Sequence, residues 1–421
     1  MAIGVFSTTD AGTGNSGETL VTQALKEHYK PERIKEMVYK NNPLMALMPK
    51  YESFGGENMP IPIIVSGPQR RSATFADGQA NNQSTSSLKQ FLLTRVRDYS
   101  FASITHEAIR ASQGNADAFV RYATMEIDGA IHSLKRSMAV SMYRDGSGSI
   151  GIQKAGVDPQ GAKLVTLATP EDISNFEVGM KIVLAETATG ALLSNVGTKE
   201  IDSVDRSAGT FTVKVNFHND ADAGDHIFQL GDAHAGASFK KMRGLDAWLP
   251  SSAPTAGDSF FSVDRSTDAT RLSGSRFDGS SLPIEEALIE GLSLAARNGG
   301  TPSHVFMHFK NYSQLEKALG SKVQYNKVSS SDAEVGFTSL AIHGPAGTVD
   351  VIPDVNCPAD VAYGLQLDTW SLNSLGSAPQ ILDLDGSNML RESTADAYEV
   401  RCGFYGNMAC TAPGWNVRIA L

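Results

Sequence analysis

The chain has 421 residues, a formal net charge of -10, and 41% hydrophobic against 19% charged residues. This composition is that of a globular protein with room for two or three structural units, and it excludes a disordered chain. The acidic balance argues against a protein whose main task is to grip phosphate backbones, because such proteins carry a clustered excess of Lys and Arg.

The cysteine content and the first residues of the sequence indicate the compartment in which the protein is made. Cys357, Cys402 and Cys410 are few, odd in number and without metal-finger spacing, which excludes a disulfide framework and fits a reducing cytoplasm. No signal-peptide pattern opens the chain, and no apolar stretch approaches the roughly 20 residues of a membrane helix. We expect a soluble protein, made in the cytoplasm, with no membrane partner.

The first predicted unit, residues 1–50, is an arm followed by short helices. Residues 1–17 are rich in Gly, Ser and Thr, as flexible arms are, and helices are predicted from Glu18 and from Pro31. Gly12 to Gly17 has the glycine spacing of a dinucleotide-binding turn. Because no buried strand precedes it, we interpret this stretch as part of the arm.

Residues 51–105 are predicted to form a long hairpin with a polar tip. Apolar side chains alternate from Met59 to Val65, and the intervening Pro60 and Pro62 fit an edge strand and exclude a central one. A second alternating run, Leu88 to Thr105, returns after a long polar stretch. Because such a loop is unusual inside a compact domain, we expect it to be functional or completed by a partner chain.

Residues 106–156 contain the strongest helical pattern of the chain, from Asn115 to Arg144. Thirty residues would span about 45 Å. The apolar residues recur at spacings of three and four and define one face. They are Phe119, Ala123, Ile127, Ala130, Ile131, Leu134, Met138 and Met142. Lys135 and Arg136 are among the charged residues predicted to lie off this face.

Residues 157–235 are predicted to form a small β-barrel or sandwich inserted into the parent domain, because short strands alternate with Gly and Asp turns. His218 to His226 is rich in oxygen ligands, but its spacing matches no calcium loop, and we interpret it as a polar turn. His304 and His308 lie in a strand-like run, some 13 Å apart, too far to share a metal. We predict no catalytic, cofactor-binding or metal-binding residues.

The remainder is mixed, which predicts an α+β fold. Residues 236–282 return to the parent domain and residues 283–380 form a mixed region. In it Ser281 is predicted to cap a helix from Leu282, and a strand at His304 to His308 precedes a helix from Tyr312 to Leu319. Strands and turns fill residues 381–421.

The order of these elements resembles that of the major capsid proteins of tailed bacteriophages, the Johnson fold of the Hong Kong phage capsid-like coat protein family. Four phrases are also similar to members of that family. They are Gly244 to Pro250, Pro302 to Leu319, Gly347 to Val351, and Ala362 to Asp368. The inserted domain at 157–235 is not in the minimal family pattern, although some members carry inserted β domains.

The resemblance implies a place in a shell for each unit. Residues 51–105 would be the extended loop over a neighbouring subunit, and 115–144 the spine helix of the peripheral domain. Residues 283–380 would be the axial domain, whose tips meet around pentamers and hexamers. The arginines Arg70, Arg71, Arg95 and Arg97 would face acidic groups across a subunit boundary; the alternative is that they are merely solvated.

The resemblance further implies a non-catalytic coat protein of the virion capsid that assembles in the host bacterial cytoplasm. Its icosahedral shell would enclose double-stranded DNA without sequence-specific binding. A separate scaffolding protein and a portal are implied partners, and a decoration protein is compatible with the family. The alternatives are an enzyme, such as a hydrolase with an inserted β lid, or another virion protein such as a tail subunit.

Overall fold

The structure is a computed structural model that describes residues 42–68, 71–80, 85–105, 116–157, 159–234, 239–319, 325–330, 333–345, 347–383, 386, 389–393 and 395–421. The predicted arm, its helices and the Gly12 to Gly17 stretch lie outside these residues. The α-helices are Pro43–Leu47, Phe75–Ala80, Ala116–Tyr143, Leu245–Trp248, Ile284–Arg297 and Phe309–Leu319. Helices and strands are mixed, which confirms the α+β class.

The long helix, Ala116–Tyr143, follows the predicted span. The predicted apolar face supplies the buried side chains Ile127, Ala130, Ile131, Leu134, Met138 and Met142, and Ala139, Val140 and Tyr143 are buried as well. Lys135 was predicted to lie off the apolar face, but it is buried, and burial lowers its pKa. Its long aliphatic stem allows the residue to pack among apolar neighbours. No helix within the described ranges combines the length and apolar character needed to cross a membrane.

The long helix packs against a six-stranded sheet, which we call the first sheet. Its strands are Lys50–Tyr51, Val96–Thr105, Trp370–Ser374, Gln380–Ile381, Leu390–Arg391 and Ala397–Cys410. The 14-residue strand Ala397–Cys410 is central and pairs antiparallel with Val96–Thr105 and Trp370–Ser374. The main hydrophobic core lies between this sheet and the long helix.

A second sheet of seven strands has its own core. In spatial order the strands are Ser275–Asp278, Val417–Ala420, Val361–Leu365, His304–Met307, Gly347–Pro353, Ala333–Gly344 and Tyr325–Ser330. The helix predicted from Leu282 begins at Ile284, with Pro283 at its N-cap and no side-chain cap, so the predicted role of Ser281 is wrong. The helix predicted from Tyr312 begins at Phe309.

Six strands between the long helix and residue 229 form a separate sheet. In spatial order they are Ser149–Ile152, His226–Gln229, Lys181–Ala185, Lys199–Asp205, Thr210–Val213 and Leu164–Thr166. Backbone bonds from Lys154 to Thr166 (2.9 Å) and from Ala168 to Ile152 (2.8 Å) join the two ends of this path. We call this closed unit the barrel; its core is separate from the other two. Its first strand lies ahead of residue 157, where the sequence placed the boundary.

The predicted hairpin consists of Asn58–Ser66 and Ser87–Thr94, paired antiparallel. We call this pair the extended hairpin. The returning run does not continue as one strand: beyond Arg95, Val96–Thr105 joins the first sheet instead. The buried positions shift by one residue there, from Phe91 and Leu93 to Val96, and this turns Tyr99 and Phe101 outward.

Candidate functional site

The inner face of the extended hairpin is buried against its own chain. Ile61, Ile63, Val65, Phe91 and Leu93 are buried in the main core. The ring of Phe91 packs edge-on against Trp248, with 5.1 Å between ring centroids, and against Phe260 at 6.1 Å. The expectation that the hairpin cannot bury itself in its own domain is therefore wrong for this face.

A second, short hairpin forms the seat on which the extended hairpin rests. Its strands are Ser259–Phe260 and Val263–Asp264, and the turn residues Phe261 and Ser262 have φ values of 46° and 67°. The backbone N–H of Leu92 donates to the carbonyl oxygen of Phe261 at 2.9 Å. From the neighbouring loop, the guanidinium of Arg271 donates to the carbonyl oxygen of Val65. One backbone bond and one bond from a side chain thus hold the two strands of the extended hairpin.

The outer face of the extended hairpin is exposed, and it is apolar around Ile64 and Leu88, whereas Asn58, Gln90 and Thr94 are polar positions on the same face. Ile64 and Leu88 form a cross-strand pair and are 69% and 62% exposed. Pro60 and Pro62 lie on the same face and are also exposed. Exposed apolar side chains grouped on one face are of the kind that partners contact.

Beyond the strands, the helix Phe75–Ala80 presents an aromatic side chain to solvent. The Phe75 ring is 85% exposed. The Thr74 hydroxyl donates to Asp77 at 2.5 Å and accepts from the Asp77 backbone N–H at 3.3 Å, which fixes the start of the helix. An aromatic residue held this far out on an ordered element is the kind of side chain that dominates interfaces.

The four predicted arginines are in different situations. Arg70 lies outside the described residues, and Arg71 and Arg97 are exposed. Arg95 donates to the carbonyl oxygen of Phe54 at 3.2 Å and lies 5.5 Å from the centroid of its ring. Arg95 therefore has contacts inside its own subunit. Among the described residues, Arg71, Arg95 and Arg97 form no ion pair, and nothing brings the set together.

A buried polar network lies where the strand after the hairpin meets the long helix. The ammonium of Lys241 lies 2.9 Å from the carboxylates of Asp98 and Asp232 and 2.8 Å from the hydroxyl of Ser137. Burial alone would lower the pKa of Lys241, but the two carboxylates raise it above its ordinary value. Burial raises the pKa of Asp232, against the effect of Lys241. Sequence reasoning missed this network because its members are far apart in the chain.

The oxygen-rich stretch from His218 to His226, a possible metal-binding loop, makes the hydrogen bonds of a polar turn. Asp222 accepts from the Gln160 amide at 2.6 Å, and its backbone N–H donates to Asp225 at 2.9 Å, as in a polar turn. Across the described part of the chain, no three His, Cys, Asp or Glu side chains are grouped as a metal site would require.

Comparison with known proteins identifies a family over part of the chain. Residues 225–387 match the model of the SU10 major capsid protein family. Comparison with curated protein sequences gives no significant match. The enzyme alternative has no support in these comparisons.

The fold is similar to those of several solved structures, including the following three. The capsid asymmetric unit of cyanophage A-1(L) is 11% identical, with 90% of this chain and 92% of that chain covered and a TM-score of 0.49. For Mycobacterium phage Ogopogo the identity is 9%, the coverage 91% and 92%, and the TM-score 0.41. For the major capsid and decoration proteins of phage G, the identity is 8%, the coverage is 98% of this chain and 99% of that chain, and the TM-score is 0.38. With TM-scores below 0.5, these likenesses carry no weight in the assignment.

Proposed function

We infer that the chain is the major capsid protein of a tailed bacteriophage, a structural coat subunit and a component of the virion. The match of residues 225–387 to a major capsid protein family is the observation that carries this inference. The order of arm, hairpin, long helix and mixed α/β region, read from the sequence, agrees with it.

We further propose that the subunit assembles into pentamers and hexamers of an icosahedral shell around double-stranded DNA. In this proposal, assembly takes place in the host cytoplasm with a separate scaffolding protein and a portal. Residues 115–144 are the spine helix, 283–380 the axial domain, and the barrel, which the sequence bounded at 157–235, the inserted domain. The net charge of -10 supports a shell that encloses DNA without gripping it. A decoration protein is a further proposed partner, as the resemblance of the sequence implies.

Within this shell, we propose that a neighbouring subunit covers the outer face of the extended hairpin. The support is its chemistry: Ile64, Leu88 and Phe75 are apolar and exposed. Their combined area is below the roughly 800 Å² per partner that a stable interface buries. A single such contact is therefore too small for a stable dimer, and the free subunit is expected to stay monomeric until many contacts close together.

Serine substitution on the hairpin tests this proposal. Ile64→Ser and Phe75→Ser should keep the melting temperature of the purified subunit and abolish shells in negative-stain micrographs after co-expression with the scaffold. The matched control is Val215→Ser, since Val215 is 66% exposed on the barrel. If both hairpin variants formed normal shells, the hairpin would not be part of the interface between subunits. Failure of the wild-type chain to form any capsomer or shell would count against the coat function itself.

The arginines are tested separately. Arg70→Glu combined with Arg71→Glu should block assembly without lowering the melting temperature, if charges across the boundary set the register of the contact. Shells of normal yield at low ionic strength would favour the alternative that these arginines are merely solvated.

A further inference from the structure

Among the residues that the structure describes, the ion pairs between the barrel and the rest of the subunit have the same polarity. The barrel contributes three carboxylates, Glu171, Asp172 and Glu177. The body contributes the cations: Arg144 lies 2.5 Å from Asp172, and Lys310 lies 2.7 Å from Glu171. Arg136 of the long helix pairs with Glu177. An acidic face of the barrel thus lies against a basic strip built from two helices and the residue that follows the long helix.

The apolar cores of the barrel and the body stay apart, and a small separate cluster of Val183, Ala185, Phe228 and Ala233 lies where the chain leaves the barrel. A cleft of about 410 Å³ lies between the long helix and the barrel, with Val140 on one wall and Val178 and Met180 on the other. The Arg136–Glu177 pair is at its rim, since both residues also line the cleft. Charge, more than close packing, holds the two surfaces together.

The chain enters and leaves the barrel at one place. The N–H of His234, on the way out, donates to the carbonyl oxygen of Ser147, on the way in, at 2.9 Å. Gly148 has a φ of 91°, and a Cβ there would lie 2.2 Å from the carbonyl oxygen of Asp232. Lys241 in turn holds Asp232 to the long helix and to the first sheet. The two connections therefore form a narrow joint that is anchored on the body side.

We propose that the barrel is a hinged module, docked on the body by these three ion pairs and released from it as ionic strength rises. The Arg144–Asp172 pair is largely buried, so salt screens it less. The pairs of Arg136 and Lys310 are partly exposed, and each shifts an equilibrium by roughly a factor of 1.4 to 5, so these two favour docking by roughly twenty-five-fold at most. Salt screens such pairs strongly at about 1 M, where the Debye length is about 3 Å. The joint at Gly148 and Asp232 remains intact when the pairs separate. This proposal does not depend on the function of the shell.

Fluorescence energy transfer within the purified subunit measures the docking directly. Labels on Val215→Cys of the barrel and Ile289→Cys of the body can be placed selectively, because Cys357, Cys402 and Cys410 are buried. At low ionic strength one transfer efficiency is expected. Raising NaCl to about 1 M should broaden or shift the distribution without changing the circular dichroism. A distribution unchanged by salt would overturn the proposal.

Charge reversal identifies the contact responsible. Glu171→Lys should shift the transfer distribution at low salt, and Glu171→Lys with Lys310→Glu should restore it, because the double change exchanges the polarity of the pair and leaves the neighbouring His308 and Asp172 in place. The control is Glu200→Gln, which removes an ion pair with Lys214 inside the barrel and should change nothing. No shift with Glu171→Lys, or an equal shift with Glu200→Gln, would contradict electrostatic docking.

Discussion

Lys241 and Asp98 are 143 positions apart in the chain, yet their ammonium and carboxylate groups are 2.9 Å apart and almost entirely buried. Ser137 of the long helix donates to the same carboxylate at 2.5 Å, and Asp232 binds the ammonium from the exit of the barrel. One ammonium group therefore links the strand after the hairpin, the long helix and the inserted unit.

Removing this cation should destabilise the subunit strongly. Lys241→Met keeps much of the aliphatic volume but leaves Asp98 and Asp232 buried without a counter-charge. Loss of one partner of a buried ion pair costs about 3–5 kcal/mol, which urea denaturation followed by circular dichroism would measure. Lys214→Met is the control, because its pair with Glu200 is exposed and its loss should leave the midpoint unchanged. Equal midpoints for the two variants would contradict a structural role of the network.

Gly244 allows the chain to pass against the end of the long helix. A Cβ at Gly244 would lie 2.3 Å from the carbonyl oxygens of Ser141 and Met142, and its N–H donates to Arg144 at 2.9 Å. Gly244→Ala should therefore lower the free energy of unfolding by about 1–3 kcal/mol or more. Gly129→Ala should raise it by about 1 kcal/mol, because a Cβ there meets nothing within 4 Å inside the same helix. If denaturation curves showed that both variants change the free energy of unfolding in the same direction, this explanation would be refuted.

The turn at Phe261 and Ser262 stores backbone strain beneath the extended hairpin. Ser262 is exposed with a φ of 67°, so Ser262→Gly should relieve strain and stabilise the subunit by about 0.5–1 kcal/mol. Phe261→Gly relieves similar strain but loses a ring that packs 4.6 Å from Phe260 and 5.7 Å from Trp248. That variant should lose about 3–5 kcal/mol. If the melting temperatures of both variants shifted in the same direction, the proposed backbone strain at Ser262 would be contradicted.

Periodicity along the chain predicted the elements that are long or regular. The long helix is predicted because its apolar residues recur at spacings of three and four, and the inserted β unit because short strands alternate with Gly and Asp turns. The split at Arg95 was missed because a shift of one residue is invisible when Thr94, Arg95 and Val96 all suit a strand. The seat was missed for another reason: a turn with two positive φ values normally requires Gly or Asn, and Phe261-Ser262 has neither.

The electrostatic network was beyond prediction because it depends on tertiary contacts. Nothing near Asp98 in the chain indicates that its partners are Ser137 and Lys241. The same applies to the hairpin surface: alternation predicted which residues share a face, but not which face the seat would cover. The sequence therefore indicates the arginines as contact residues and does not reveal that Ile64 and Leu88 are exposed.

Three histidines should make stability depend on pH. Burial lowers the pKa of His226, His304 and His308 below the ordinary value. The folded protein then binds protons on these rings less readily than the unfolded chain does. Stability should fall as the pH drops below about 6.5, and His304→Gln should reduce that fall. Urea midpoints at about pH 7.5 and about pH 5.5 measure this, with His218→Gln, an exposed site, as the control. An unchanged pH dependence in His304→Gln would contradict the assignment.

Excising the barrel at two different boundaries tests where the inserted unit begins. The strand Ser149–Ile152 pairs with His226–Gln229, so it belongs to the barrel although it lies ahead of residue 157. Replacing residues 149–231 by a short Gly-Ser linker should leave a folded body, because Ser147 and His234 are already joined by a 2.9 Å bond. Replacing residues 157–235 instead leaves Ser149–Ile152 without its partner strand and removes Asp232 from Lys241.

The second deletion should therefore melt at a lower temperature and expose a free strand edge that favours aggregation. Circular dichroism and size-exclusion chromatography of the two proteins compare them directly. Two folded deletions with equal melting temperatures would contradict the assignment of Ser149–Ile152 to the barrel, whereas unfolding of both would show that the barrel is not separable from the body.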